Sequence, residues 1–356
     1  MFTSKARNFW KGKNIFITGH TGFKGSWLCL LLNELGSNVS GFSLKPYKSN
    51  IIFEDLKIKK YLTYNFYGDI KDKKRLNFSI KKVKPEIIFH LAAQPIVLDS
   101  YLNPNDTFET NINGTLNILE AIKRYQVRSS VIVTTDKVYK NKNKKISFRE
   151  NDSLAGDDPY SASKAMTEML VHSYNYSFFK NKIKVATVRA GNIIGGGDRA
   201  SKRILPDFFK CFERKNKLFV RSPDSLRPWQ FILEPLIGYL LVAEANYNKK
   251  FSSNVKQTWN FSPSNNKIYT VKEVIKKINS YFNILINYKN KPSKKEKKYL
   301  KLSSSKAHRL LGWKSHYNID KTINEIAKWE INRAKGNEVR SLSLLQINNY
   351  LKLLKW

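Results

Sequence analysis

Short apolar runs alternate with longer stretches of helical periodicity through the first half of the chain, the pattern of a parallel sheet wound between helices. Asn14 to Thr18 is the first apolar run, of the kind a doubly buried strand needs. Apolar positions at Trp27, Leu28, Leu31, Leu32 and Leu35 then recur at helical spacing, and Gly36 is placed to end that helix. Further strands are expected over Asn38 to Leu44, Leu62 to Phe66, Glu86 to Leu91, Ser130 to Thr135 and Ile183 to Arg189. One helix is expected through Phe108, Ile112, Leu116, Leu119 and Ile122; Asn111 lies within it and, if buried, needs a backbone partner. Another begins with Asp158 as N-cap and Pro159 at its first position. Beyond Arg189 the alternation becomes irregular. The expected fold is α/β: a Rossmann-type doubly wound parallel sheet in residues 1–190, and a smaller C-terminal substrate-binding lobe in 191–356 from which segments return to the first domain.

Composition narrows the class. The 356 residues are 41% hydrophobic and 13% aromatic, as in a globular protein. Against 28 acidic residues stand 64 Lys and Arg, a net charge of +36. The lysines gather in runs such as Lys140 to Lys145 and Lys291 to Lys301, which read as solvated loops, and no zinc-finger spacing or RNP-type motif accompanies them. The charge is therefore read as compositional, and no nucleic-acid partner is expected. Cys29 and Cys211 form no Cys-x-x-Cys pair, which argues against a disulfide framework, and no metal site is expected. Met1 to Lys13 lacks an apolar core, and no run of about 18 apolar residues occurs. The expectation is a cytoplasmic protein without a membrane partner.

The strand–helix junction reads Gly19-His-Thr-Gly22-Phe-Lys-Gly25. Three glycines there suit a tight turn, an approach of backbone amides to a pyrophosphate, and close helix–strand packing. The second strand ends at Ser43-Leu44-Lys45, without the acid that usually holds the adenosine ribose hydroxyls of NAD; Lys45 could meet a 2′-phosphate, so NAD and NADP both stay open on these residues. Asp69 suits the adenine amino group or the cap of a helix beginning near Lys71. The small Ala92 and Ala93 let a loop pass beneath a dinucleotide. Thr134-Thr135-Asp136-Lys137 leaves the carboxyl end of a strand, where open α/β sheets place ligands. Tyr160 and Lys164 stand four residues apart, on one helix face, where an ammonium lowers a phenol's pKa towards working pH.

Together these motifs resemble the extended short-chain dehydrogenases/reductases acting on nucleotide sugars, and among them the CDP-glucose 4,6-dehydratases. The resemblance rests on Gly19-His-Thr-Gly-Phe-Lys-Gly-Ser-Trp27, Thr135-Asp-Lys137, Asp158-Pro-Tyr-Ser-Ala-Ser-Lys164, Arg189-Ala-Gly-Asn-Ile-Ile-Gly-Gly-Gly-Asp198, Arg227-Pro-Trp-Gln230, Glu234-Pro-Leu236 and Leu310-Leu-Gly-Trp313. Related dehydratases for other nucleotide sugars carry Asp-Glu in place of Asp136-Lys137. The resemblance implies NAD as cofactor, held by Gly19, Thr21, Gly22, Phe23, Lys24, Gly25, Asp69, Ile70, Leu91, Ala92, Ala93, Gln94, Asn111, Thr134, Tyr160 and Lys164. Thr135, Asp136, Lys137, Tyr160 and Lys164 would be catalytic, and Asn192, Arg203, Arg227 and Asn260 would bind the nucleotide-sugar substrate. It further implies a homodimer or homotetramer and a step towards deoxysugars of surface polysaccharide. The chain departs from that family at Arg199, where Trp is usual, and between Lys140 and Ser147, where a Trp is missing; the tail from about Asn332 is expected to be an added helix beyond the match.

Overall fold

A computed structural model describes residues 8–46, 52–141, 146–179, 182–252, 254–263, 268–288 and 299–354; much of the two lysine runs lies outside them. Seven parallel strands form the central sheet: β1 (Asn14–Thr18), β2 (Asn38–Ser43), β3 (Tyr64–Tyr67), β4 (Ile87–His90), β5 (Ser129–Val133), β6 (Lys184–Ala190) and β7 (Thr258–Phe261). Their order is β7-β6-β5-β4-β1-β2-β3. The winding reverses between β1 and β4, and a crevice opens there at the strands' carboxyl ends. β7 is supplied by the second half of the chain, which therefore completes the sheet.

Both faces are apolar, as parallel strands require. Phe16, Phe42, Ile88, Ile132 and Val185 point to one side, under α2 (Lys73–Val83) and α3 (Gly114–Tyr125). Ile15, Ile17, Phe89 and Val131 point to the other, where α1 (Phe23–Glu34) packs with the apolar second-half helix α5 (Leu233–Tyr247). A further long helix, α4 (Pro159–Tyr174), starts as its sequence dictates: the Asp158 carboxylate accepts from the Ser161 amide at 2.9 Å, and Pro159 opens the first turn. Gly36 ends α1 at φ +83°, with Ser37 N–H on the Leu32 carbonyl and Gly36 N–H on Asn33, a Schellman pair. The helix expected around Asn111 runs from Pro104 to Tyr125, but a π turn over Glu109–Asn113 interrupts it.

Three two-stranded pairs build the smaller lobe: Ile193–Ile194 with Gln230–Phe231, Leu226–Arg227 with Tyr269–Thr270, and Leu218–Val220 with Ile286–Tyr288. The tail does form the expected helix, and it is packed into the fold. Helices α6 (Ile319–Ala334) and α7 (Val339–Leu351) pack on each other, and α7 also on α1. Trp329 Nε1 donates to Ser343 Oγ at 2.9 Å, Tyr350 donates to Glu234 at 2.5 Å, and Ile347 is buried. The tail is thus part of the main core. Arg199 is held by charge pairing: its guanidinium grips both Glu330 oxygens, at 2.8 and 2.5 Å, and reaches Glu213 at 3.0 Å. No described helix is long and apolar enough to cross a membrane, and the described residues contain no cluster of metal-ligating side chains.

Candidate active site

A cleft of about 650 Å³ lies over the β1–β4 switch point. Its floor is the glycine turn. A Cβ on Gly19 would lie 2.7 Å from the Ala92 nitrogen, and one on Gly25 2.1 Å from the Gly19 carbonyl oxygen, so the turn, the end of β4 and α1 close up only around bare backbone. Gly22 caps α1 without a side chain, leaving the first amides of the helix to face the cleft. This cradle fits the pyrophosphate of a dinucleotide. Thr21, Phe23, Lys24, Asp69, Ile70, Leu91, Ala92, Ala93 and Gln94 line the same cleft, with Thr134, Tyr160 and Lys164 at its inner end.

Seven residues expected to touch ligand are not among those that line it: Asn111, Thr135, Asp136, Lys137, Asn192, Arg227 and Asn260. Asn111 is fully buried, accepting from the Gln94 amide at 2.9 Å and donating to the Gln94 carbonyl at 3.2 Å and to Ser163 at 2.9 Å. It clamps the cleft wall to α4 from behind, and the π turn is what presents it there. Asn260 is also fully buried. It accepts from Tyr139 at 2.8 Å and donates to the Phe148 carbonyl at 3.1 Å, so it cannot face a nucleotide. Asp69 holds the Lys71 amide at 2.9 Å, but the helix that follows begins at Lys73, two residues later than expected, and is capped by Asp72.

At the inner end, β5 delivers Thr134 and then the single 3₁₀ turn Asp136–Val138. Thr135 joins the groups there: its hydroxyl donates to Asp136 at 3.1 Å and accepts weakly from the Lys137 amide at 3.4 Å, and its proximity pulls the Tyr160 phenol down against burial. Burial pushes the Asp136 carboxyl above the usual carboxylate range, against the pull of Lys137, Thr135 and Arg227. Its second oxygen is buried with no hydrogen-bond partner among the described residues. Both features penalise the charged carboxylate relative to an exposed one. Burial also drives the Tyr160 phenol up to about 12, with Thr135 and Arg203 pulling it down. Lys164 is driven down to about 7 by burial and then by Lys24, and its amine donates to the Val133 carbonyl at 3.1 Å. The expected lowering of the phenol by Lys164 is therefore not what governs Tyr160 here: burial does.

Arg203 lines the cleft and pairs with Asp198 at 3.3 Å; Arg227, buried beside Asp136, and Asn192 lie outside the lining. Several lining residues carry no sequence mark. Asp99, Asp106 and Thr110 come from the stretch after β4, and Ala200 to Lys202 from the loop after the glycine run. Glu168 is a further omission that spacing could have revealed, since it stands four residues after Lys164 on the same helix face. Its carboxylate takes Arg189 at 2.8 and 2.9 Å, Thr134 at 2.5 Å and Thr187 at 2.6 Å, tying α4 to β5 and β6 beneath the site.

Comparison with known proteins places this geometry. Residues 16–326 match the GDP-mannose 4,6 dehydratase family. The chain belongs to that family. Among curated relatives of this dehydratase family, the CDP-glucose 4,6-dehydratase of Salmonella typhimurium is 39% identical over 97% of this chain and 98% of its own. The alignment thus extends into the tail beyond Asn332. Among solved structures, a dTDP-glucose 4,6-dehydratase from Bacillus anthracis in complex with NAD superposes with a TM-score of 0.76 at 22% identity, covering 93% of this chain and 100% of that one. An epimerase from Methanothermobacter thermautotrophicus superposes with a TM-score of 0.81 at 22% identity, covering 94% and 96%. These structural likenesses carry the dehydratase family's fold.

Proposed function

We propose that the protein is an NAD-dependent hydro-lyase that dehydrates CDP-glucose to CDP-4-keto-6-deoxyglucose. One observation carries the reading: a buried Asp136, one oxygen held by Thr135 and the other without a partner among the described residues, beside Lys137 at the strand end next to Tyr160. The proton on carbon 5 of glucose becomes acidic only once carbon 4 is a ketone. Tyr160 takes the carbon 4 hydroxyl proton, and Thr135 holds the carbon 4 oxygen. NAD held in the cleft would supply a reversible hydride acceptor, serving oxidation at carbon 4 and reduction at carbon 6. Lys137 removes the carbon 5 proton, and the protonated Asp136 gives its proton to the departing carbon 6 hydroxyl, which leaves as water; once carbon 6 has its hydride, Lys137 returns a proton to carbon 5. Lys164 orients the nicotinamide ribose, and the glycine turn holds the pyrophosphate. Arg203 and Arg227 pair with the substrate diphosphate through the guanidinium fork, with Asn192 beside them. The cytidine preference follows the full-length similarity to the Salmonella enzyme. A 4-epimerase on this scaffold would use Tyr160 and Lys164 but has no task for an Asp–Lys pair.

Substrate deuterated at carbon 4 should yield product deuterated at carbon 6, read by mass spectrometry. Stoichiometric release of reduced cofactor with product would replace the lyase reading by that of a net dehydrogenase.

A further inference from the structure

The wall of the cleft that carries Arg203 is held from behind by the tail. Beyond Ile193–Ile194 the chain passes through three glycines to Asp198, and Asp198, Ala200, Ser201, Lys202 and Arg203 all line the cleft. The glycines lie against α6: a Cβ on Gly196 would fall 2.2 Å from Trp329 Cδ2. Glu330, next to that tryptophan, is buried and grips the same loop. Its Oε1 accepts from the Gly197 amide at 3.0 Å and from Arg199 at 2.8 Å, and its Oε2 takes the other arm of the guanidinium at 2.5 Å. Arg199, buried as well, also donates to the Asp198 carbonyl at 3.2 Å. The Asp198 carboxylate in turn accepts from the Ala200 amide at 3.1 Å and pairs with Arg203 at 3.3 Å. A continuous run of bonds thus leads from the tail helix to a guanidinium in the cleft. The loop has a second hold, Lys202 on Asp99, but both of those side chains meet solvent, which makes it the weaker one.

We infer that Glu330 is a positioning residue for the reaction: acting through Gly197 and Arg199, it sets where Arg203 meets the substrate diphosphate. The inference rests on the reading of CDP-glucose as substrate and of Arg203 as a diphosphate ligand, and it adds to that site a residue from outside the cleft. Pairing of a guanidinium with a phosphate is directional, so a loop displaced by about 1 Å loses the fork geometry. The pyrophosphate cradle and the Asp136–Lys137 turn are built on other strands, β1 and β5. A contact to the diphosphate that is equal in ground and transition states acts on KM and leaves kcat alone.

The test compares Glu330→Leu with Glu330→Leu/Arg199→Met in the full-length protein. Each is assayed on CDP-glucose at saturating NAD, with its denaturant midpoint measured alongside. Glu330→Leu strands the Arg199 charge, so the midpoint should fall, and KM should rise about tenfold or more with kcat within about threefold. The double variant leaves no unpaired charge. Its midpoint should return towards the native value, whereas KM should stay raised, because the Gly197 amide and the loop have lost their acceptor. A KM that recovers together with the midpoint would overturn the inference and leave the pair a purely structural one. So would a native KM in Glu330→Leu, or a loss confined to kcat. Should Glu330→Leu not fold, Glu330→Gln keeps the side chain's shape and weakens the charge pairing. It should raise KM about threefold or more at unchanged kcat, and a native KM there would equally overturn the inference. Failure of the unaltered protein to turn over CDP-glucose would instead overturn the functional reading, and the inference with it.

Discussion

Lys137→Met should accumulate bound NADH on mixing with CDP-glucose while releasing almost no keto-deoxy product. Oxidation at carbon 4 requires Tyr160 and the cofactor and makes no use of the lysine. Elimination needs a base over carbon 5, and losing a general base typically slows its step by about two to four orders of magnitude. Methionine keeps the side chain's length and removes its basicity. The turn should survive the change, because it is held by main-chain contacts: the residue 137 amide bonds Thr135 Oγ1, and Lys140 N–H bonds the Ser153 carbonyl. Rapid-mixing absorbance would follow the NADH, and heavy-water exchange at carbon 5 should stop. If a normally folded variant turned over at the native rate, Lys137 would lose its role and another base would be required.

Glu168→Ala should destabilise the protein by roughly 3–5 kcal/mol, the usual cost of removing one partner of a buried ion pair. Both side chains are buried, and Arg189 also donates to Tyr139 at 2.6 Å, with its guanidinium 4.7 Å from that ring's centre. Without the carboxylate a guanidinium is stranded in the core, while Thr134 and Thr187 lose their shortest acceptor and keep only Val188 O and Thr258 Oγ1, at 3.2 and 3.1 Å. That is a large share of the 5–15 kcal/mol that typically separates folded from unfolded states. Denaturant midpoints of the ligand-free proteins would measure it. The double variant Glu168→Leu/Arg189→Met should recover much of the loss, since it leaves no unpaired charge. An unchanged midpoint for Glu168→Ala would mean that the pair contributes nothing net. Because Thr134 and Tyr139 flank the Asp136–Lys137 turn, the alanine variant should also lower kcat more than it raises KM.

Signals confined to one turn or one strand were the ones readable along the chain. The Asn14–Thr18 strand, the Asp158–Pro159 start and the Gly36 stop each depend on residues within a few positions of one another. Hydrophobic burial on both faces of a parallel strand leaves its mark as a continuous apolar run, and a cap leaves its mark as one residue type at one place. The glycine turn belongs to the same class, because the absence of a side chain at Gly19 and Gly25 is itself the geometric requirement. The segments after Arg189 were less readable, since short strands of two or three residues carry too few alternations to show a period.

The chain by itself therefore determined the doubly wound sheet, the position of the cradle and the placing of Tyr160 and Lys164 on one helix face. Tertiary structure alone decided what each polar side chain does there. Asn260 and Tyr139 are 121 residues apart in sequence and share a hydrogen bond, so an asparagine expected at the ligand is spent inside the core. Asn111 needed the π turn to reach Gln94, and Arg199 found in Glu330 a partner 131 residues away. Protonation was likewise decided by the fold. A phenol beside an ammonium reads as acidic on a helical wheel, yet burial raises Tyr160 and lowers Lys164, because the cost of desolvating a charge depends on everything packed around it. Local sequence encodes backbone shape through short-range sterics and solvation; the pairing and charge of buried polar groups are properties of the whole packed interior.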